Sequence, residues 1–356
     1  MIIVIKVGTQ SILSDDGTPN EPVMLRLVEQ IVSAQQSGHH VILVSSGAVG
    51  SGRKVAQQQL GRMFGSSLGE KQLLASLGQH ELMHHYSKMF KAYGFLASQL
   101  LLTKQDFQTR NHYLNISRLI REILNHKNII PIINENDSVA IEELMFTDND
   151  ELAGLIAALV NADKLIILSH VKGVYTGHPD ESGSELIPVI RPEEHWPQVS
   201  AAKSNHGRGG MQSKLNTARK MSDLGISTHI ASIDELNIIP RIVQKEAVGT
   251  EILPDKKKSG IKRWIAYNSD KKMGTVSVNL CLQELLLEGK RALSLLPVGI
   301  EQCSGSFKKG DLVEILSLDG QALGIGIAQY DAVKLNLYLG KKDMPEFIHY
   351  DYLHIF

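Results

Sequence analysis

The sequence predicts an α/β protein in which a mainly parallel β-sheet is covered by helices and is followed by a small strand-rich domain. Along residues 1–250, short apolar runs alternate with longer amphipathic stretches, which is the order typical of a parallel sheet. From about Gly274 the texture changes to short strand-like runs separated by glycines. The length of 356 residues also exceeds what one hydrophobic core usually holds, so we expect two domains.

Six apolar runs are expected to be strands because they are nearly continuous Val, Ile and Leu, as buried parallel strands are. These runs are Ile2–Val7, Val41–Val44, Phe95–Leu102, Ile129–Ile133, Leu165–Leu168 and Ile226–Ile230. Helical spacing of apolar residues predicts helices between them, including Glu21–Ser37, Tyr113–Leu124 and Glu151–Val160. The later strand-like runs are Thr275–Val278, Leu295–Ile300, Asp311–Leu316 and Ala322–Ala328.

The polar and basic segment DKKKSGIKR, residues 255–263, indicates a linker between the two parts. We therefore predict a first domain over residues 1–254, a linker over 255–273 and a strand-rich domain over 274–356. From residue 271 onward there are nine Lys and Arg against ten Asp and Glu. A net charge of −1 there does not favour RNA binding, which requires a basic surface.

Composition narrows the class of protein. The whole chain has 37 Lys and Arg and 38 Asp and Glu, so no overall field recruits nucleic acid or an anionic membrane. Two cysteines do not indicate a disulfide scaffold. The sequence contains no apolar run of about 18 residues, and its first residues carry no basic leader. We expect a cytoplasmic enzyme with no membrane segment.

Lys6 is the first candidate for chemistry. It lies in a strand that should be buried on both faces, where a lysine is costly unless an anion compensates it. Gly8 and Thr9 follow at once, and glycine lets backbone N–H groups approach a phosphate closely. The alternative is a lysine that snorkels from a strand end.

A second small-residue turn, Ser45–Ala48, ends the next strand and could accommodate a substrate or phosphate. Alone this signal is weak, because such turns are common in α/β proteins. Gly47 and Gly52 have the spacing of a Walker A loop, but Arg53 and Lys54 stand where lysine and Ser/Thr are required. The P-loop interpretation therefore fails.

Two acidic clusters, Asn134–Asp137 and Asp148–Asp150, follow a strand and open a helix, respectively. Capping and turn formation explain one such cluster well and both less well. Together they could hold an ammonium group and orient a lysine or a metal-bound nucleotide. Farther along, Gly207–Lys214 is a glycine loop that enters a helix whose first turn carries a lysine, which favours phosphate binding over a solvated surface loop.

His80–His84 matches the H-E-x-x-H pattern of zinc peptidases. A third ligand is missing downstream, so we interpret the segment as ordinary helix surface. The lysines, glycines and acids combine into a different hypothesis. Phosphoryl transfer needs positioning and positive charge, which Lys6 and Lys214 could supply while Asp150 holds them. The residues by themselves indicate a phosphotransferase without a P-loop.

The ordered motifs IKVGT, VSSGAVGSG, INEND, FTDND, KGVYT and GGMQSK resemble the glutamate 5-kinases of the amino acid kinase superfamily. LLPVGI, GSFKKGDLVEIL and ALGIGIAQY resemble a PUA domain. The resemblance covers essentially the whole chain and implies a three-layer αβα sandwich plus a PUA-like domain. It also implies ATP-dependent phosphorylation of the glutamate γ-carboxylate, the first step of proline biosynthesis. ATP would carry Mg²⁺ on its phosphates, with no protein metal site.

Carried over residue by residue, the resemblance makes Lys6, Lys214 and Asp150 catalytic. Ser46, Asp137 and Asn149 would bind L-glutamate. The nucleotide-binding set would be Lys6, Gly8, Thr9, Gly47, Ser169, His170, Arg208, Gly209, Gly210, Met211, Gln212, Ser213 and Lys214. Ser169-His170 and Arg208 depart from the Thr-Asp and Thr that the family often has, which affects nucleotide contacts rather than the chemistry. The resemblance further implies a homo-oligomer, inhibition by proline and hand-off to the next pathway enzyme.

Three alternatives stay open at this point. One is a kinase of another carboxylate, such as an acetylglutamate kinase or an aspartokinase, which substrate tests would distinguish. Another is an RNA-binding or RNA-modifying protein, since PUA domains usually recognise RNA. The last is an inactive amino-acid sensor, which the retained lysines and acids disfavour.

Overall fold

The computed structural model describes residues 1–107, 110–140, 145–146, 148–179, 181, 183–194, 196–197, 210–255, 272–288 and 293–356. The chain divides into two compact units, Met1–Asp106 with Asn115–Lys257 and Phe107–Leu114 with Lys258–Phe356. Most of the predicted linker lies outside the described residues, so the boundaries at residues 254 and 274 stay predictions. No helix in the described ranges is long and apolar enough to cross a bilayer.

An eight-stranded sheet forms the centre of the first unit, in the order β3-β4-β2-β1-β5-β7-β8-β6. Its strands are β1 (Ile2–Val7), β2 (His40–Ser45), β3 (Leu96–Leu102), β4 (Ile129–Glu135), β5 (Lys164–Ser169), β6 (Val189–Ile190), β7 (Ser227–Ser232) and β8 (Thr250–Ile252). All neighbours pair in parallel except β7 and β8. The predicted mainly parallel sheet is confirmed. The short strands β8 and β6 at one end of the sheet were not predicted, because two or three residues carry no periodic signal.

Helices cover both faces of this sheet. The helices between Thr9 and Val243 are α1 (Thr9–Ile12), α2 (Glu21–Gln36), α3 (Ala48–Leu60), α4 (Leu68–Ala92), α5 (Arg110–Leu124), α6 (Asn149–Val160), α7 (Met211–Asp223) and α8 (Ile238–Val243). Alternate β1 residues Ile3, Ile5 and Val7 join one apolar core with α2, α4 and α8. The opposite face of β1, which carries Lys6, is covered by α6. These are the three layers that the family resemblance implied.

Helix α6 owes its position to its sequence. Residues Leu152–Val160 are buried on every side, as expected for a helix that is apolar all round. At its start the Asp148 carboxylate accepts hydrogen bonds from the N–H groups of Asp150 and Glu151, at 2.8 and 3.1 Å. This cap satisfies two of the free N–H groups of the first turn and fixes where the side chains of that turn point.

Helices α3 and α4 cross so closely that only glycine fits at the contact. A Cβ on Gly52 would lie 1.8 Å from the Leu74 carbonyl oxygen, and one on Gly78 would lie 1.8 Å from the Ala48 oxygen. The crossing therefore places Gly78 of α4 against Ala48, the residue that follows the turn Ser46-Gly47. Sequence patterns gave no indication of this contact, because an isolated glycine in a helix is otherwise only tolerated.

The second unit contains a five-stranded sheet in the order β10-β9-β11-β12-β13. Its strands are β9 (Gly274–Val278), β10 (Ile300–Gly305), β11 (Leu312–Leu316), β12 (Ala322–Ile327) and β13 (Leu353–Ile355), with helices α9 (Leu280–Glu288) and α10 (Ala332–Tyr338). The expected strand over Leu295–Ile300 is wrong: a 3₁₀ helix occupies Pro297–Gly299, and the strand begins at Ile300. Proline explains the difference, since it lacks the N–H that a strand needs and suits a helix start.

Candidate active site

The carboxyl ends of β1, β2 and β5 place three predicted site residues at one edge of the sheet. Val7 pairs with Ser45 of β2 and with Leu168 of β5. The next residue along each strand, Gly8, Ser46 and Ser169, therefore follows at the same level. Ligands bind at this edge of open parallel sheets, so the register supports one shared site.

At the centre of this edge, Lys6 and Lys214 converge on the carboxylate of Asp150. Lys6 Nζ lies 2.7 Å from Asp150 Oδ1, and Lys214 Nζ lies 3.0 Å from Oδ2. The Asp150 side chain is 0% exposed. Three elements that are distant in sequence, β1, α6 and α7, thus contribute one side chain each to a single ion-paired group.

Asp150 is held ionised by its neighbours. Burial alone would raise the pKa of its carboxyl group, but the charges and hydrogen bonds of Lys6 and Lys214 outweigh burial and lower that pKa below its ordinary value. The pKa of Asp148 instead is raised, first by burial and then by the charge of Asp150. Asp150 is therefore an anchor for two ammonium groups rather than a proton acceptor.

Next to the ion pairs, a chain of amide side chains leads to Ser46. Asn149 Nδ2 donates to Ser46 Oγ at 2.7 Å and to Asn134 Oδ1 at 2.9 Å. Asn134, which is 2% exposed, in turn donates through Nδ2 to Gln79 Oε1 at 2.9 Å. Two predicted substrate residues, Ser46 and Asn149, are thereby brought into contact.

Gly47 caps the start of α3 with a backbone conformation that favours glycine. Its φ of 110° lies in the left-handed region, and a Cβ would approach Ile12 Cδ1 to 3.2 Å. Gly8 caps the short helix α1, and Thr9 follows as its first residue. Both glycine turns therefore lie at the edge of the sheet where Lys6 lies.

A family model described as "Amino acid kinase family" matches residues 1–232, which include Lys6, Asp150 and Lys214. The chain belongs to the amino acid kinase family. A second model, described as "PUA domain", matches residues 275–344. The predicted kinase fold and PUA-like region are both confirmed.

Relatives in this family carry the name glutamate 5-kinase. One from Bacteroides thetaiotaomicron is 40% identical over 99% of this chain and 98% of its own length. One from Chlorobaculum tepidum is 41% identical over 99% of this chain and 97% of its own. One from Dictyoglomus thermophilum is 37% identical over 95% of this chain and 90% of its own. This protein therefore shares the complete architecture of those kinases. The predicted enzyme class, a kinase, is confirmed.

Some of the residues predicted to bind the nucleotide lie beside the ion pairs of Asp150. Ser169 ends β5, and the exposed His170 places Nδ1 at 3.5 Å from Asp234 Oδ2. Gly210 caps α7, whose first turn carries Met211, Gln212, Ser213 and Lys214. Arg208 and Gly209 lie outside the described residues. Their assignment to ATP, like that of the other nucleotide residues, stays a prediction.

Asp137, the third residue predicted to bind the substrate L-glutamate, lies half-buried in the turn that follows β4. Asn134 and Gln79 are not among the predicted site residues, although Asn134 contacts Asn149 directly and Gln79 contacts Asn134. Asn134 belongs to an acidic cluster that the sequence singled out. Gln79 is one glutamine within a long helix, and no spacing or neighbouring motif could have identified it.

The two motifs rejected above, the H-E-x-x-H pattern and the Walker A-like segment, lie in surroundings that fit neither a zinc site nor a P-loop. His80 and His84 are exposed on α4, and no group of three His, Cys, Asp or Glu in the described parts of the chain could hold a metal. Arg53 donates to the carbonyl oxygens of Phe64 and Gly65, and Lys54 pairs with Asp16 at 2.6 Å. These cations support the helix α3 and its neighbouring loops.

Proposed function

We propose that this protein transfers the γ-phosphoryl group of ATP to the γ-carboxylate of L-glutamate, forming L-glutamyl 5-phosphate in the first step of proline biosynthesis. The observation that carries the proposal is the pair of lysines on one buried carboxylate, directly beside the Asn149–Ser46 contact. The two lysines are suited to a transferring phosphoryl group, and the Asn149–Ser46 pair is suited to a small polar acceptor. Relatives that share the whole architecture are named glutamate 5-kinase.

The chemistry asks for little proton transfer. A γ-carboxylate is already ionised near neutral pH, so it attacks the γ-phosphorus without a general base. As the new O–P bond forms, the bond to the ADP oxygen breaks and ADP leaves with the electron pair. Negative charge spreads over the three equatorial oxygens of the transferred group, where the ammonium groups of Lys6 and Lys214 would donate hydrogen bonds. Asp150 keeps both ammonium groups in position.

Magnesium is expected to arrive with the nucleotide. Of the carboxylates beside the transfer centre, Asp150 is engaged by two lysines, and Asp148 caps the first turn of α6 through Oδ1. That arrangement fits a Mg²⁺ ion held by ATP phosphates and water rather than by a protein cage. When bound there, the ion would supply further neutralisation of phosphate charge.

Other properties that the sequence and the family resemblance imply stay predictions. Ser46, Asn149 and Asp137 would bind glutamate, and the glycine turns with the start of α7 would bind ATP. Proline as a feedback inhibitor, a homo-oligomer, a cytoplasmic location and direct hand-off of the labile acyl phosphate are all expected. Tight RNA binding by the PUA-like region is not expected.

A hydroxamate assay tests the proposal. Hydroxylamine traps an acyl phosphate as a coloured hydroxamate, and glutamate, N-acetylglutamate and aspartate would be compared with ATP and Mg²⁺. We expect product from glutamate alone, and none from the Lys6→Met variant. Lys164→Met is the matched control, since Lys164 is a similarly buried lysine at the opposite edge of the sheet. Product from another acceptor in preference to glutamate, or from none, would contradict the proposal.

A further inference from the structure

The amide chain behind Ser46 has a direction that one backbone group sets. The N–H of Glu135, which can only donate, lies 2.8 Å from Asn134 Oδ1. The oxygen of the Asn134 amide must therefore face Glu135, and its NH₂ group must face Gln79. Gln79 Oε1 accepts that hydrogen bond at 2.9 Å, which completes the fixed orientation.

This direction passes on to Asn149. Asn134 Oδ1 also accepts from Asn149 Nδ2, and the same nitrogen donates to Ser46 Oγ. Both N–H groups of the Asn149 amide are thus in use. Its oxygen, Oδ1, is buried and has no hydrogen-bond partner among the described residues.

The consequences for a ligand are specific. Because the Ser46 oxygen accepts from Asn149, the Ser46 hydroxyl proton can donate outward, toward an anionic group. The Asn149 oxygen can only accept, and a buried acceptor without a partner is costly unless a ligand satisfies it. One edge of the site thus presents a donor and an acceptor, which matches a carboxylate and an ammonium group on one small molecule.

We infer that Gln79 is a positioning residue for the acceptor substrate: its Oε1 holds the Asn134 side chain in the place where Asn134 Oδ1 accepts from Asn149. The inference rests on the proposed function for the identity of that substrate. Without the Gln79 acceptor, the buried Asn134 NH₂ group has no partner, and the Asn134 side chain is no longer held where its oxygen meets Asn149 Nδ2. The glutamate-facing oxygen of Asn149 and the Ser46 hydroxyl would then no longer be held in one arrangement.

Gln79→Met tests this, because methionine has a similar length and no acceptor of comparable strength. We expect the glutamate KM to rise about tenfold, the effect typical of one unsatisfied buried donor, with the ATP KM within about twofold of wild type. Gln79→Glu keeps an oxygen acceptor for Asn134, so it should recover the glutamate KM to within about threefold. Gln58→Met, at an exposed position on α3, controls for the substitution itself.

The outcomes separate the two proposals. If wild-type protein forms no hydroxamate from glutamate, the proposed function fails before Gln79 is tested. If wild type is active, three results contradict the role of Gln79: an unchanged glutamate KM in Gln79→Met, a parallel rise of both KM values, or no recovery in Gln79→Glu. Thermal unfolding of each variant identifies a folding defect, and Gln79→Glu alone then decides: it must keep the wild-type glutamate KM within about threefold.

Discussion

Two buried lysine clusters lie at opposite edges of the same sheet, and their hydrogen bonding differs. At the amino edge, Lys164 Nζ lies 3.3 Å from Ser227 Oγ, 3.3 Å from His229 Nδ1 and 3.4 Å from Glu251 Oε1. At the carboxyl edge, Lys6 and Lys214 share only the carboxylate of Asp150 among the residues that the structure describes. Side-chain exposures of 7% for Lys6 and 11% for both Lys164 and Lys214 show that burial does not distinguish them.

The number of acceptors does distinguish them. A lysine ammonium group has three N–H donors, and Lys164 has a partner for each. Lys6 and Lys214 retain donors that their neighbours in the described ranges leave unused. Buried donors without partners are costly, so their retention indicates a ligand. We therefore predict that the amino-edge cluster contributes to stability and the carboxyl-edge cluster to catalysis.

Substitution of Lys6 should have the largest effect and should act on catalysis alone. We expect Lys6→Met to lower kcat at least about 10³-fold, because a cation that stabilises a transferring phosphoryl group contributes that much. Asp150 would still pair with Lys214, so the free energy of unfolding should change by less than about 1 kcal/mol. Steady-state kinetics and urea unfolding measure the two quantities.

The same two measurements on Lys6→Met could refute the distinction. A loss of several kcal/mol in unfolding free energy with a modest loss of kcat would mean that Lys6 is structural. The predicted catalytic role of the carboxyl-edge cluster would then be wrong.

The carboxyl-edge cluster was predictable because each of its residues lies at a local signal. Lys6 precedes a glycine turn, Asp150 lies in an acidic helix start, and Lys214 follows a glycine loop. The Lys164 cluster has no such signal: its members come from β5, β7 and β8, and the strand pairings of Lys164 with Ser227 and of His229 with Glu251 bring them together. Sequence periodicity reports burial of strands but not which distant polar residues meet between them.

The α3–α4 crossing illustrates the same limit. Gly52 and Gly78 have meaning only as a pair, since each leaves room for the backbone of the other helix. Gln79 follows Gly78 directly, so the crossing also sets the depth at which its amide meets Asn134. Local sequence explains the helices themselves but not the contact that places this part of the site.

Substitution of Lys164 should have the opposite effect from substitution of Lys6. Lys164→Met leaves His229 and Glu251 without their shared donor, and we expect unfolding free energy to fall by about 2–3 kcal/mol. Glu251 is partly exposed and can regain water, which limits the loss. The value of kcat should stay within about twofold of wild type. A tenfold loss of kcat in a folded Lys164→Met protein would show that the two edges are not independent.

A smaller effect, the pH dependence of stability, tests the role of His229 in the amino-edge cluster. Burial lowers the pKa of His229 to about 4, aided by the charge of Lys164 and opposed by Glu251. The unfolded chain has a histidine pKa of about 6.5, so between these values it binds a proton that the folded protein does not. Stability contributed by neutral His229 is therefore present above about pH 6.5 and is lost as the pH falls toward 4.

His229→Gln should remove this part of the pH dependence. Between pH 7 and pH 5 we expect wild-type protein to lose about 1.5–2 kcal/mol more unfolding free energy than the variant, measured by urea unfolding at each pH. In a Lys164→Met background the difference should shrink, because one cause of the low pKa is gone. If unfolding free energy depends on pH in the same way for wild type and His229→Gln, then His229 has the same pKa in the folded and unfolded states. The histidine of the amino-edge cluster would then not be held neutral by burial, and this difference from the carboxyl-edge cluster would be lost.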